Sequence, residues 1–267
     1  MLELDDVNVK VGPQVLARNL SVALAPGEIN VVIGPNGTGK TSLLRTLFGE
    51  LPPAAGQIRL NGQAMPRHHL GPWRKQFGYM PQDTGLDLDL SVLEVVLMGK
   101  LDHLGMHVDD ATLMEALEAL RAVGLVALAD RAVHSLSGGQ RQMVLFAQVL
   151  LRAPRIMLLD EPVSALDLKH QVLLLDLLHR QTRKNGWITV VVLHDLNLAA
   201  QYGDRLVVLA HGTLQAFGTP ADVLTAELVQ RLYGVAVDVG HDRFGDPHIR
   251  PIRERSLHAV ALQQEAA

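Results

Sequence analysis

Hydrophobic and polar positions alternate at the start of the chain. Leu2, Leu4, Val7, Val9 and Val11 are followed, beyond Gly12-Pro13, by Val15, Leu16, Leu20, Val22 and Leu24. A two-residue rhythm broken by a Gly-Pro turn predicts antiparallel strands with one buried face. Pro26-Gly27 then turns the chain into a hydrophobic run, Ile29 to Ile33, and a helical pattern follows from Ser42 to Phe48. Gly49 and Pro52-Pro53 stop that helix. Gln57 to Asn61 reads as a strand ending in an Asn-Gly turn, and Phe77 to Met80 as a short strand ended by Pro81.

From Leu90 to Leu151 the rhythm becomes helical. Ser91 and Glu94 have capping-box spacing ahead of an apolar run. Asp109-Asp110 opens a second helix with apolar positions Leu113, Met114, Leu117 and Leu120, and a third starts near Ser137. Strand–helix alternation then returns: a strand at Ile156–Leu159, a helix over 168–183, a strand at Ile188–Leu193 and a short helix over 195–202. Leu206–Leu209 and Leu214–Phe217 read as paired strands around His211-Gly212. Apolar strands alternating with helices imply a mainly parallel sheet covered on both faces. The all-helical stretch, about residues 84–150, reads as an insertion between two strand-rich parts. The segment from Ala236 is polar and has no clear rhythm, and 263–267 reads as a frayed end.

Composition narrows the function classes. The 267 residues carry 24 Lys plus Arg against 28 Asp plus Glu, a formal charge of -4, so there is no basic surplus of the kind that marks a nucleic-acid binder. Cysteine is absent, which excludes disulfides and thiolate metal sites. The acidic, alternating start is unlike a signal peptide, and no apolar run reaches the length of a membrane span. These features predict a soluble cytoplasmic protein. A mean hydropathy of +0.16 is high for such a chain and suits surface buried against a partner.

Chemistry concentrates in three places. Gly34-Pro35-Asn36-Gly37-Thr38-Gly39-Lys40-Thr41, followed by Ser42, has the G-x-x-x-x-G-K-[ST] pattern between a strand and a helix. Backbone amides of such a loop, together with a helix N-terminus, cradle phosphates. Lys40 is placed to reach the β- and γ-phosphates and the Thr41 hydroxyl to hold Mg²⁺. The apolar strand before Asp160-Glu161 puts two carboxylates at its end: Asp160 suits Mg²⁺ support, and Glu161 suits a general base. Ser137-Gly138-Gly139-Gln140 opens a helix whose first amides offer a second phosphate-binding device.

The string LSGGQRQ, with GPNGTGKT before it and LLDEP after it, resembles the ATP-binding-cassette (ABC) ATPases over about residues 2–235. The resemblance implies an α/β P-loop NTPase fold of the ABC-ATPase type. It would have a mainly parallel core sheet, an N-terminal antiparallel β subdomain and an inserted α-helical subdomain. The ATPase domain would span 1–235, with 236–267 as a C-terminal extension. It also implies ATP and Mg²⁺ as ligands. Gln82 in MPQD matches a glutamine that senses the γ-phosphate and Mg²⁺. His194 in VVLHD matches a histidine that contacts the γ-phosphate. Ser164 to Asp167 match a loop that crosses a dimer interface. Two copies would pair head to tail, each P-loop facing Ser137–Gln140 of the other. A transmembrane permease would be a partner, with a short helix docked near Gln82 and Asp83 to Lys100, and a periplasmic binding protein an indirect one. The chain would then sit on the cytoplasmic face of the inner membrane. Where the family stacks an aromatic residue on adenine, this chain has Val11, which offers no π-face.

LDLKHQ, HDLNLAAQYGDRLVVL and GTPADVLT are similar to the subgroup serving iron-siderophore, haem and cobalamin uptake. The sequence reading puts siderophores first, haem and cobalamin next, and zinc or manganese after them. A P-loop kinase would have no use for LSGGQ. DNA-repair relatives insert a long coiled coil for which the motif spacing leaves no room, and ribosomal relatives carry two cassettes.

Overall fold

The computed structural model describes residues 1–82, 89–103 and 108–252. Twelve strands and nine α-helices are described, numbered here in chain order. β1 (Leu2–Val11) and β2 (Gln14–Leu24) form the expected hairpin, with Leu2 opposite Leu24 and Val11 opposite Gln14. β3 (Ile29–Ile33) leads into α1 (Lys40–Phe48). β4 (Ala55–Leu60) and β5 (Gln63–Ala64) follow, joined by Asn61-Gly62, both at positive φ. α2 (Gly71–Arg74) and β6 (Phe77–Met80) precede the helical stretch of α3 (Val92–Leu97), α4 (Asp110–Ala122) and α5 (Gly138–Leu151). β7 (Ile156–Asp160), α6 (Leu168–Asn185), β8 (Ile188–Val192), α7 (Leu196–Tyr202), β9 (Arg205–Ala210) and β10 (Thr213–Gly218) restore the alternation. α8 (Pro220–Val223), α9 (Ala226–Tyr233) and the hairpin β11 (Val237–His241) with β12 (Pro247–Pro251) complete it.

Ten strands form one sheet in the order β5-β4-β1-β2-β10-β9-β3-β8-β7-β6. The strands around β3 are parallel: β9-β3-β8-β7-β6. The N-terminal strands are antiparallel, so the sheet is mixed as the alternation predicted. Successive residues of β3 and β7 point to opposite faces. Ile29, Val31, Ile33, Met157 and Leu159 join the core beneath α3–α7, while Val32, Ile156 and Leu158 join the core beneath α1, with Leu43, Leu44 and Leu47. Each fully buried side chain of this size contributes roughly 1.5–3 kcal/mol of transfer free energy. Burial on both faces therefore locks the ends of β3 and β7 side by side.

Several details differ from the sequence expectation. α1 begins at Lys40, two residues earlier than predicted, because Gly39 in a left-handed conformation serves as its cap. In α4 the buried positions are Ala116 and Leu120, whereas Met114 is 55% exposed. The i, i+4 pair that includes the alanine faces α5, so the alanine and not the methionine marks the core side. The polar segment from Ala236 contains an ordered hairpin, whose Val237 and Ile249 are buried. Residues 263–267 lie outside the described residues.

Candidate functional site

The site starts where β3 ends. Gly34 has φ 146°, and a Cβ there would lie 1.9 Å from the carbonyl oxygen of Leu209 on β9. Only glycine lets the chain leave the sheet so close to a neighbouring backbone. Gly39, at φ 92°, would push a Cβ to 2.7 Å from the Leu16 Cβ on β2. The loop between them returns on itself, with the Thr38 hydroxyl donating to the Pro35 carbonyl at 2.9 Å. α1 then starts without a side-chain cap and without an acidic residue in its first turn. Its leading amides point at a site suited to an anion.

The Lys40 ammonium lies over this loop and donates to the carbonyls of Gly34 at 2.8 Å and Pro35 at 2.9 Å. Lys40 is only 6% exposed. Burial lowers its pKa, opposed by the negative charges of Glu161 and Asp160. Asp160 closes β7 and is fully buried, and neither carboxylate oxygen has a hydrogen bond of normal geometry. Burial raises its pKa, with the Thr41 hydroxyl acting against that shift and Glu161 adding to it. An ionisable carboxyl buried with so little hydrogen bonding is costly. A carboxylate and a hydroxyl facing a phosphate cradle form a hard-oxygen set that fits a small divalent cation.

Glu161, one residue on, has φ 51° and a largely buried side chain. Gln82 Nε2 donates to its Oε2 at 2.9 Å, and His194 Nε2 lies 2.5 Å from its Oε1. Three segments distant in sequence thus meet at one carboxylate. The cavity they enclose, about 580 Å³, is lined by Asn36, Gly37, Gly39, Lys40, Thr41, Ser42, Gln82, Glu161 and His194, and also by Gln14 and Leu16. A cavity of similar size, about 600 Å³, lies between α4, α5 and Trp187, away from these phosphate-binding groups.

Not all of the expected residues gather there. Val11 stands at the end of β1, 43% exposed, and the cavity's apolar wall is Leu16. Alternation alone made Leu16 look like another core residue of β2. Ser137, Gly138, Gly139 and Gln140 do not line this cavity. The first turn of α5 is also less bare than expected. The Ser137 hydroxyl accepts from the Gln140 amide, and the Gln140 side chain accepts from the Ser137 amide. The S-x-x-Q spacing is itself a capping box. Asp167 caps α6, accepting from the His170 amide at 2.9 Å, and these bonds lower its pKa.

Sequence reasoning missed the residues that brace Glu161. Gln142, buried in α5, donates to the Glu161 carbonyl at 3.0 Å and accepts from the Ala165 amide at 3.2 Å. Gln171 of α6 donates to the carbonyls of Val163 and Leu166. Gly139 lets α5 approach this loop, since a Cβ would sit 3.0 Å from the Ala165 carbonyl oxygen. A polar residue at a position the helical pattern assigns to the core was the available signal for Gln142.

The ABC transporter family pattern matches residues 17–164. A hemin import ATP-binding protein, HmuV of Plesiomonas shigelloides, is 37% identical over 91% of this chain and 99% of its own length. The ferric enterobactin transport ATP-binding protein FepC of Escherichia coli K12 is 36% identical over 93% of each. Among solved structures, a metal-chelate type ABC transporter in an inward-facing conformation superposes with a TM-score of 0.81 at 28% identity, over 96% of this chain and 98% of that one. A phosphate cradle, a carboxylate held by glutamine and histidine, and full-length likeness at these identities agree: the chain belongs to the ABC transporter family, as an ATP-binding subunit that hydrolyses ATP.

Proposed function

We propose that this subunit energises the uptake of an iron-siderophore-type metal chelate through a separate permease. ATPase domains of the family dimerise, and in importers they work with transmembrane permeases. No helix among the described residues is long and apolar enough to cross a membrane, so attachment through a permease on the cytoplasmic side fits this reading. Residues 1–235 form the ATPase unit, with the helical subdomain at about 84–150, and 236–267 the extension.

The contact of Gln82 and His194 with one carboxylate over the phosphate cradle carries the assignment. ATP phosphates would lie on the backbone N–H groups of the Gly34–Ser42 loop other than Pro35, which has none, and Lys40 would exchange its bonds to Gly34 and Pro35 for phosphate oxygens. Thr41, Asp160 and Gln82 would hold Mg²⁺, which when bound offsets charge on the β- and γ-phosphates. The Glu161 carboxylate takes a proton from a water whose oxygen attacks the γ-phosphorus. The bond to the β-phosphate oxygen breaks, and phosphate and ADP form. His194 orients the γ-phosphate and holds Glu161 in place. The Ser137–Gln140 turn lies outside this cavity, so a second copy, paired head to tail, supplies it, with Asp167 at the seam. A cleft of about 190 Å³ lined by Phe48, Phe77, Tyr79, Met98 and Gln148 suits a short permease helix. It adjoins the expected stretch from Asp83 to Lys100, of which 83–88 lie outside the described residues.

Haem is the second reading, because the relatives named for hemin are as similar as the one named for ferric enterobactin. Reconstitution with its permease and binding protein in liposomes tests both. Uptake of a ferric siderophore that depends on ATP inside supports the proposal, and uptake of haem alone overturns it.

A further inference from the structure

The C-terminal hairpin has no part in the site just described, yet it is bolted to it. Asn197, in the first turn of α7, accepts from the Ile249 amide at 2.8 Å and donates back to the Ile249 carbonyl at 3.3 Å. One side chain thus satisfies both backbone groups of a β12 residue. Ile249 and Val237 are buried in the same core as Ala199 and Ala200 of α7. Asp195 caps α7 by accepting from the Asn197 and Leu198 amides, at 2.7 and 3.1 Å. His194 is the residue immediately before that cap. Its imidazole is 44% exposed, and among the described residues its one polar contact is with Glu161. Its placement thus rests on that contact and on where the backbone at 194 is held.

We infer that the hairpin β11–β12 is a brace for hydrolysis and that Asn197 is its positioning residue. By pinning α7 to β12, Asn197 holds the His194 backbone where the ring meets Glu161 and the γ-phosphate. A side-chain amide that clips both backbone groups of one residue fixes rotation as well as distance. Small misplacements of a reacting geometry cost far more in rate than in stability. The inference rests on the role given to His194 above.

Steady-state ATPase measurements on the full-length subunit in complex with its permease provide the test, with melting temperature as a control. Asn197→Ala is expected to lower kcat about tenfold while KM for ATP stays within about twofold, the split that misplacement of a group acting on the transition state produces. Asn197→Asp keeps the acceptor for the Ile249 amide and is expected to recover part of that loss. An unchanged kcat in Asn197→Ala, or a kcat loss that comes with a higher KM and a lower melting temperature, overturns the brace. His194→Ala separates the two levels. If it retains wild-type kcat, the role of His194 fails and the brace with it. If it is inactive while Asn197→Ala is normal, the brace alone fails.

Discussion

Two helix N-termini in this chain look alike in sequence and differ in structure. α1 begins after Gly39, which has no side chain to cap it, and its first turn holds no carboxylate. α5 begins after Ser137, and its first turn is closed by a reciprocal bond with Gln140. Both are glycine-rich entries of the kind that bind anions. Only α1 offers its donors unconditionally, next to the buried Lys40 and Asp160. α5 already satisfies one of its donors internally. The difference assigns them different work. In the proposed head-to-tail pair, the α1 turn would bind nucleotide within one subunit, whereas the α5 turn would meet a phosphate already held by the other. On that reading, closure of the pair would depend on ATP.

The largest expected effect comes from the α1 side. Glu161→Gln keeps the hydrogen-bonding shape around Gln82 and His194 and removes the proton acceptor. General-base loss costs about 10²–10⁴-fold in rate. Turnover should drop by that much, while ATP binding and ATP-driven dimerisation persist in analytical ultracentrifugation. Wild-type turnover in this variant would remove Glu161 from the mechanism. Ser137→Arg strikes the α5 side. ATP affinity of the monomer should stay within about twofold and dimerisation should disappear. Turnover should fall about 10²-fold, the scale of losing one transition-state donor. Equal loss of monomer affinity would mean that both turns act in one subunit.

The legibility of these two turns differed for a physical reason. The α1 cradle is made by residues contiguous in sequence whose glycines all take positive φ, with Gly34 also pressed against the Leu209 carbonyl, so Gly34 to Thr41 could be read directly. Asp160 and Glu161 were legible as carboxylates at the end of an apolar strand, because strand period and burial are local properties. The braces were not. Gln142 meets the Glu161 carbonyl 19 residues away, and Asn197 meets Ile249 52 residues away, across elements whose packing no local rhythm encodes. The hairpin β11–β12 escaped for a related reason. Only Val237, Pro247 and Ile249 are buried there, too few to stand out from the polar residues around them.

A third test separates charge from shape at α1. Asp160 is buried with its pKa raised by desolvation. A carboxyl raised on folding costs stability above its folded pKa, and the cost vanishes as the pH falls below the ordinary value of 3.8. Asp160→Asn should therefore melt higher than wild type at pH 7 without nucleotide. At roughly 2–4 °C per kcal/mol for a chain of this size, a gain of a few degrees is expected. The gap should narrow as the pH is lowered toward 4, and the same variant should hydrolyse ATP poorly. A gap independent of pH would show that the carboxylate is not charged at the cost argued here.

The smallest effect concerns the far end of the α1 site, where the proposed nucleotide would place its base. Val11 is exposed and sits opposite Gln14 across the β1–β2 turn, and Gln14 lines the cavity. A ring at position 11 extends further from the strand than valine does and lies beside a residue of the cavity lining. Base–aromatic stacking is worth about 1–3 kcal/mol when the ring is well covered. This position is open to solvent, so Val11→Tyr should tighten ATP binding by only about three- to tenfold, at the low end of that range. GTP should tighten too, because a π-face is indifferent to which purine it meets. Calorimetric titration of both nucleotides distinguishes the outcomes. Tightening of both would show that the base end is underbuilt and that the phosphate cradle supplies most of the affinity. No tightening of either would mean that Leu16 already packs the base as closely as this mouth allows.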